Sequence, residues 1–372
     1  MKRIALTVTT DLSYDQRMQR IAHALSASGY EVWLIGRQLS YSPPLPPTPF
    51  RQVRLRCHYH KGKKFYIEYN WRLWRFLSCK SWHCIAAADL DTLLPAYWVT
   101  RAQCIPLVFD AHEHFVEVPE LVRRPWIRWL WDQMGKRLIP KAQLAYTVGP
   151  ALAQILHQHY GRPFEVVRNV PELDTHGLVR SAQLHPPYVI LYQGALNEGR
   201  GLETAIDAMA LLPPEFELWL VGEGDLSTAL RQRAAQSIAR QRIRFLGKRT
   251  PVQLRQLTPR AWVGLNLLEN KGISYYYSLA NKAFDYLHAG VPAVHMDFPE
   301  YRHLVQQWGI GILLEQLDKH VLSQQLQLLA HQPERWQQLR ANCLTARQHL
   351  HWQKEATRLR HIFAHLWQHT YR

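Results

Sequence analysis

Short apolar runs alternate with amphipathic helical stretches along almost the whole chain, and that alternation leaves few folds open. Residues 3–9 read as a short apolar strand. Met18, Ile21, Ala22 and Leu25 then recur at helical spacing until Gly29, and Glu31-Val-Trp-Leu-Ile-Gly36 is the next strand. Residues 105–109 and 144–149 repeat the strand signal. Strands joined through helices pair in parallel, with helices covering both faces of the sheet. A second series starts at residues 188–193 and continues through 217–221, 243–246, 262–268 and 292–296. A chain of 372 residues has room for two such cores. The expected fold is therefore α/β, with residues 1–171 as one Rossmann-like domain, a polar linker over 172–187, and a second Rossmann-like domain over 188–349.

Sheets of this kind bind ligands at the carboxyl ends of their strands. Residues 11–17 leave the first strand as a loop at that edge, which makes Asp11, Asp15 and Arg17 candidates. The strand running to residue 109 delivers Asp110, His112 and Glu113 to the same edge. A lone histidine at a strand end is more often structural than part of a site. Asp89 and Asp91 follow the apolar run Cys84-Ile-Ala-Ala-Ala88, but two aspartates with no third ligand in view make no metal site. The spacing of Cys57, His58, His60, Cys79, His83 and Cys84 fits no closed zinc site either.

The most informative stretch is residues 278–294. It reads as a helix entered at Ser278 or Asn281 and stopped at Gly290, with a buried strand following. Leu279, Phe284, Leu287 and Val291 face inward, while Lys282 and Asp285 share a face near the helix start. Such a pair could grip a ligand carrying phosphate and hydroxyl groups, or could be the ion pair of an ordinary amphipathic helix. Upstream, Tyr192-Gln-Gly-Ala-Leu-Asn-Glu-Gly-Arg-Gly201 is a glycine-rich turn between a strand and a helix. Helix starts favour anions, and Arg200 adds a full charge there.

The net charge of +16 asks for an anionic partner. Two stretches interleave bases with aromatics, residues 51–82 and residues 121–141. Trp and Leu beside Lys and Arg suit an anionic membrane surface, each basic contact adding about 1 kcal/mol. The same composition could stack single-stranded nucleic acid, the weaker expectation, or could simply be core aromatics under a solvated basic face. No apolar run approaches the roughly 20 residues that span a bilayer, and the first residues lack the long apolar core of a signal peptide. The five cysteines include no Cys-x-x-Cys pair. These features point to a cytoplasmic protein that can sit peripherally on the inner face of the cytoplasmic membrane.

The segment Asn281-Lys-Ala-Phe-Asp-Tyr-Leu-His-Ala-Gly-Val-Pro292 resembles one found in the group 1 glycosyltransferases (glycosyltransferase family 4). The resemblance extends over nearly the whole chain. It implies the GT-B fold, two Rossmann-like domains facing each other across a cleft, with residues 350–372 returning as a helix to the acceptor-side first domain. Arg200 takes the place of a lysine that holds the donor diphosphate. Ala195 replaces the family's other basic residue, a charge that Lys282 would supply. Gly194 and Asn281 belong to the same donor site. Gly222 and Gly224 match a Gly-x-Gly turn, and Gly247 with Lys248 matches a segment whose backbone contacts the base. Asp285 stands where an acidic residue accepts hydrogen bonds from ribose, although Tyr277 replaces the acid eight positions earlier. His112 would face the donor sugar, with Asp11, Asp15, Arg17, Asp110 and Glu113 on the acceptor side.

The implied activity is retaining, metal-independent transfer of a sugar from a nucleotide-sugar donor to a hydroxyl, with no cofactor. The acceptor expected is a lipid-linked or polymeric envelope glycan. A nucleotide-sugar 2-epimerase of the same architecture is the nearest alternative. A basic nucleic-acid-binding protein and a non-catalytic homologue, the latter suggested by Ala195 and Tyr277, are the others.

Overall fold

The computed structural model describes residues 1–117, 121, 124–174 and 185–370. Residues 175–184 of the expected linker, and Val122 and Arg123 of the second basic stretch, lie outside the described residues. The chain forms two compact units. One holds Met1–Asn169 together with the residues from Lys354 onward, and the other holds Val170–Gln353.

The first unit is built on seven parallel strands: β1 (Arg3–Thr7), β2 (Glu31–Gln38), β3 (Arg51–Arg56), β4 (Cys84–Ala88), β5 (Leu107–Ala111), β6 (Leu144–Thr147) and β7 (Glu165–Val166). Their order across the sheet is β3-β2-β1-β4-β5-β6-β7. The second unit has six: β8 (Tyr188–Gln193), β9 (Phe216–Val221), β10 (Ile243–Gly247), β11 (Val263–Asn266), β12 (Ala293–Met296) and β13 (Gly311–Leu314), in the order β10-β9-β8-β11-β12-β13. Each sheet reverses direction at its first strand, the doubly wound arrangement that opens a crevice at the carboxyl ends beside that strand. Three strands escape the sequence reading. Of these, β3 carries Arg-Gln-Val-Arg-Leu-Arg and has no fully buried residue, because it is an edge strand with no need of an apolar run. The others are only two and four residues long.

Residues 11–17 depart from the expected loop. A helix begins at Gln16, with the Asp15 carboxylate accepting the Met18 N–H (3.0 Å) as its N-cap. Arg17 is therefore a helical residue, and only 4% exposed.

In the second unit the helix Asn281–His288 runs over the sheet with Ala283, Phe284, Tyr286 and Leu287 buried. It starts at Asn281 without a side-chain cap, and Gly290 beyond its end has φ +66°. Tyr286 sets its height. The phenol donates to the Leu191 carbonyl (3.0 Å) and accepts the Gln193 N–H (3.2 Å), while lying 3.3 Å from the Leu265 carbonyl. One fully buried hydroxyl thus ties the helix to β8 and β11, the two strands at the switch point. The ring needs the space left by Gly264, where a Cβ would come within 2.5 Å of it. Gly264→Ala is therefore expected to destabilise the protein by about 1–3 kcal/mol, the usual cost of overpacking. Urea unfolding monitors this, and an unchanged midpoint would mean that Tyr286 is not the anchor.

Candidate functional site

In the second unit, four turns converge at the carboxyl ends of the strands. The Gly194 N–H donates to the Val221 carbonyl (2.9 Å) and the Gly222 N–H to the Gly247 carbonyl (3.0 Å), lacing the turns after β8, β9 and β10 together. Backbone approaches backbone so closely that a Cβ at Gly222 would lie 1.8 Å from the Gly194 carbonyl oxygen. Packing demands Gly222, whereas Gly194 and Gly247 are required by their φ of +138° and +66°. The fourth turn, residues 198–200, receives Glu269, Lys271 and Tyr275. The Glu269 N–H donates to the Gly199 carbonyl (3.0 Å), Lys271 pairs with Glu198 (2.7 Å) and Glu269 (3.0 Å), and Tyr275 packs on Gly199. The Arg200 guanidinium then lies over the Tyr275 ring at 5.2 Å.

Lys282 reaches the same place from the helix. Its Nζ sits 3.8 Å from the Tyr192 ring centroid and 3.4 Å from where a Cβ on Gly194 would be. Burial and the nearby Arg200 guanidinium hold its ammonium well below the usual lysine range, with Asp285 pulling the other way. Among the described residues neither Arg200 nor Lys282 makes a hydrogen bond or ion pair, and Arg200 Nε is buried without a partner. Asp285 is oriented by Gln193, whose Nε2 donates to Oδ2 (3.0 Å) and whose Oε1 accepts from Thr258 (2.8 Å). Asn281 and Lys248 are exposed. Arg200, Lys282, Gly194 and Asp285 are thus brought together. Gln193 and Tyr275 are the residues missed, one a polar group closing an apolar strand and the other hidden in what reads as an insertion.

The first unit gathers a different cluster. His112 follows β5 and faces a carboxylate at each ring nitrogen: Asp110 lies 3.2 Å from Nε2 and Asp89 3.6 Å from Nδ1. Burial alone would lower the imidazole, but the two carboxylates outweigh it and push it up to about 9. Asp89, with φ 54° and ψ 177°, is backbone-strained; its carboxylate accepts the His112 N–H (2.9 Å), and its own N–H donates to the Asp110 carbonyl (2.9 Å). Burial raises Asp89 to about 6. Asp110 is held down at about 2, since Arg17 and His112 overcome the cost of burial. Arg17 and Asp110 form a bidentate pair (2.7 and 3.3 Å) with side chains 4% and 1% exposed.

Most of the expected acceptor-side residues are therefore engaged within the fold, with Arg17 and Asp110 paired to each other. Asp11 accepts from Arg54 (2.7 Å) and from Ser42, Asp15 caps a helix, and Arg17 closes on Asp110. Glu113 is exposed. Among the described residues no group of three or more His, Cys, Asp or Glu side chains could hold a metal ion. Because the folded state raises His112 above its unfolded value near 6.5, its contribution to stability is complete below that pH and is lost as pH rises through about 9. His112→Gln should accordingly unfold with a midpoint that changes less between pH 6.5 and 9 than that of the parent. Parallel pH dependences would show that the imidazolium pairs contribute nothing.

Residues 14–171 match the family model described as a glycosyl transferase 4-like domain, and residues 180–345 the model described as glycosyl transferases group 1. Comparison with curated proteins finds no match. Among solved structures, sucrose-phosphate synthase from Thermosynechococcus elongatus is 17% identical, with TM-score 0.81 over 99% of this chain and 100% of that one. The Anabaena protein HepE, solved in complex with UDP, is 15% identical with TM-score 0.76 over 98% and 100%. The lipopolysaccharide outer core galactosyltransferase WaaB is 13% identical with TM-score 0.68 over 98% and 99%. Likeness at these identities establishes the shared fold, GT-B.

Proposed function

Since the chain belongs to the group 1 glycosyltransferases, we propose that it moves a sugar from a nucleotide-diphosphate donor to a hydroxyl acceptor with retention of configuration and without a metal. The observation that carries this reading is the approach of the Arg200 guanidinium to Lys282, whose Nζ lies beside Gly194. Neither cation makes a hydrogen bond or ion pair among the described residues, and Asp285 acts on Lys282 only through space. Departure of a nucleoside diphosphate concentrates negative charge on the leaving oxygens, and fixed cations in a partly dry site stabilise that charge most. Asp285, an acceptor-only group held by Gln193, suits the ribose hydroxyls. His112 is assigned to the sugar and acceptor hydroxyls, as an imidazolium whose orientation Asp89 and Asp110 hold. A uridine nucleotide is the first donor to test, because HepE was solved with UDP. Arg200→Ala and Lys282→Ala should each lower turnover about tenfold or more, the scale of removing one electrostatic stabiliser. Near-parental rates in a purified assay with UDP-, GDP- and ADP-sugars would retire the diphosphate assignment.

The acceptor is proposed to be a lipid-linked or polymeric glycan of the cell envelope, met by a peripheral protein on the inner face of the cytoplasmic membrane. What supports this is the surface of the first unit. On the helix Gly62–Ser78, Ile67, Trp71 and Trp74 recur along one solvent-facing stripe, 70%, 50% and 40% exposed. The helix Pro125–Leu138 turns Trp126, Trp129 and Leu130 outward, and the two helices meet through Tyr66 and Trp131 (5.6 Å between rings). Lys63, Lys64, Arg75, Arg124 and Arg137 flank these aromatics. No helix among the described residues is long and apolar enough to cross a membrane. Vesicles rich in phosphatidylglycerol should sediment the protein at low salt and release it at high salt, and Trp126→Ala with Trp129→Ala should weaken retention several-fold. Indifference to lipid would leave these aromatics as solvent-facing residues only.

A further inference from the structure

A cavity of about 740 Å³ opens in the first unit at the amino ends of β5, β6 and β7, a full strand length from the His112 edge. Its volume falls within the roughly 300–1,000 Å³ of small-molecule sites. The floor is apolar, built from Ile105, Leu107, Leu144, Ile362 and Leu366. At its mouth Arg101 Nη1 and Lys141 Nζ both donate to the Tyr97 hydroxyl, each at 3.1 Å. Their pull lowers the phenol below the usual tyrosine range. Neither cation reaches a carboxylate among the described residues, and the one acid in the lining, Glu165, is paired with Arg358 (3.5 Å). Two like charges converging on a neutral oxygen are mutually repulsive, and an anion placed between them would relieve that. Arg101, Lys141 and the Tyr97 O–H together present the donors that a carboxylate or phosphate accepts. Apolar floor and cationic mouth are complementary to one kind of molecule.

We infer that this cavity binds an anionic amphiphile, a single alkyl or acyl chain ended by a phosphate or carboxylate, with the head on Arg101 and Lys141 and the chain along Leu144 and Leu366. The inference is independent of the donor site in the second unit, so either can fail without the other. Cys104 supplies the reporter, being exposed and part of the lining, and Cys79 is an exposed thiol outside it. The full chain is titrated with dodecyl phosphate below its micellar concentration, with inorganic phosphate, with dodecyl maltoside, and with phosphatidylglycerol vesicles, while maleimide labelling of each thiol is followed. Dodecyl phosphate or the vesicles should slow labelling of Cys104, with Cys79 unprotected in the dodecyl phosphate arm, and which of the two probes does so identifies a free amphiphile or a bilayer lipid as the source. Arg101→Ala with Lys141→Ala should weaken that protection by about tenfold or more, the loss of two charge-assisted hydrogen bonds, while leaving the melting temperature within a few degrees. No protection by either anionic probe, or equal protection by inorganic phosphate or dodecyl maltoside, overturns the inference.

Discussion

Two cations in one partly dry place repel each other, and a protein keeps them there only if the elements that carry them cannot move apart. In the second unit that constraint is met by Tyr286, whose buried hydroxyl ties the Asn281–His288 helix to the backbone of β8 and β11. With the helix fixed, Lys282 lies with its Nζ 3.8 Å from the Tyr192 ring centroid. Arg200 is held from the other side by Tyr275. The aromatic faces offset part of the repulsion, since each offers its negative π face to a cation. Burial first, and the Arg200 guanidinium second, hold the Lys282 ammonium well below its usual range, with Asp285 pulling the other way. Cations held close together by their scaffold cost stability in the free protein.

The first unit solves the opposite problem. There two carboxylates face two cations, and Asp110 is satisfied twice, by Arg17 and by His112. Asp89 contributes from a strained backbone conformation, with two hydrogen bonds to the β5 end. The imidazole is therefore an oriented cation and not a lone histidine. Its charge is set by residues from β5 and from the turn after β4, which no local pattern links.

The same unit shows how hydrophobic side chains can mean different things at different places. Phe65, Tyr69, Leu73 and Leu77 of the Gly62–Ser78 helix are core, while Ile67, Trp71 and Trp74 of the same helix face solvent. The sequence interleaves the two sets, and their composition is alike. Only the face on which each falls separates packing from an outward surface.

Much of this was legible in order along the chain. Alternating strand and helix signals were enough for two parallel sheets, because crossover connections permit little else. The spacing of Lys282, Asp285, Gly290 and Pro292 marked the Asn281–His288 helix, and the turn after a strand that carries Arg200 was equally legible. Local patterns were also enough to misplace residues 11–17, where Asp15 caps a helix and Arg17 turns inward to Asp110. That pair is 93 residues apart in sequence. The register that sets Gln193 against Asp285, Tyr275 beneath Arg200 and Asp89 against His112 is likewise written in no single segment. Sequence carries what is local, namely propensity, periodicity and turn chemistry, whereas the charge state and direction of a side chain depend on neighbours that arrive only when the sheets assemble.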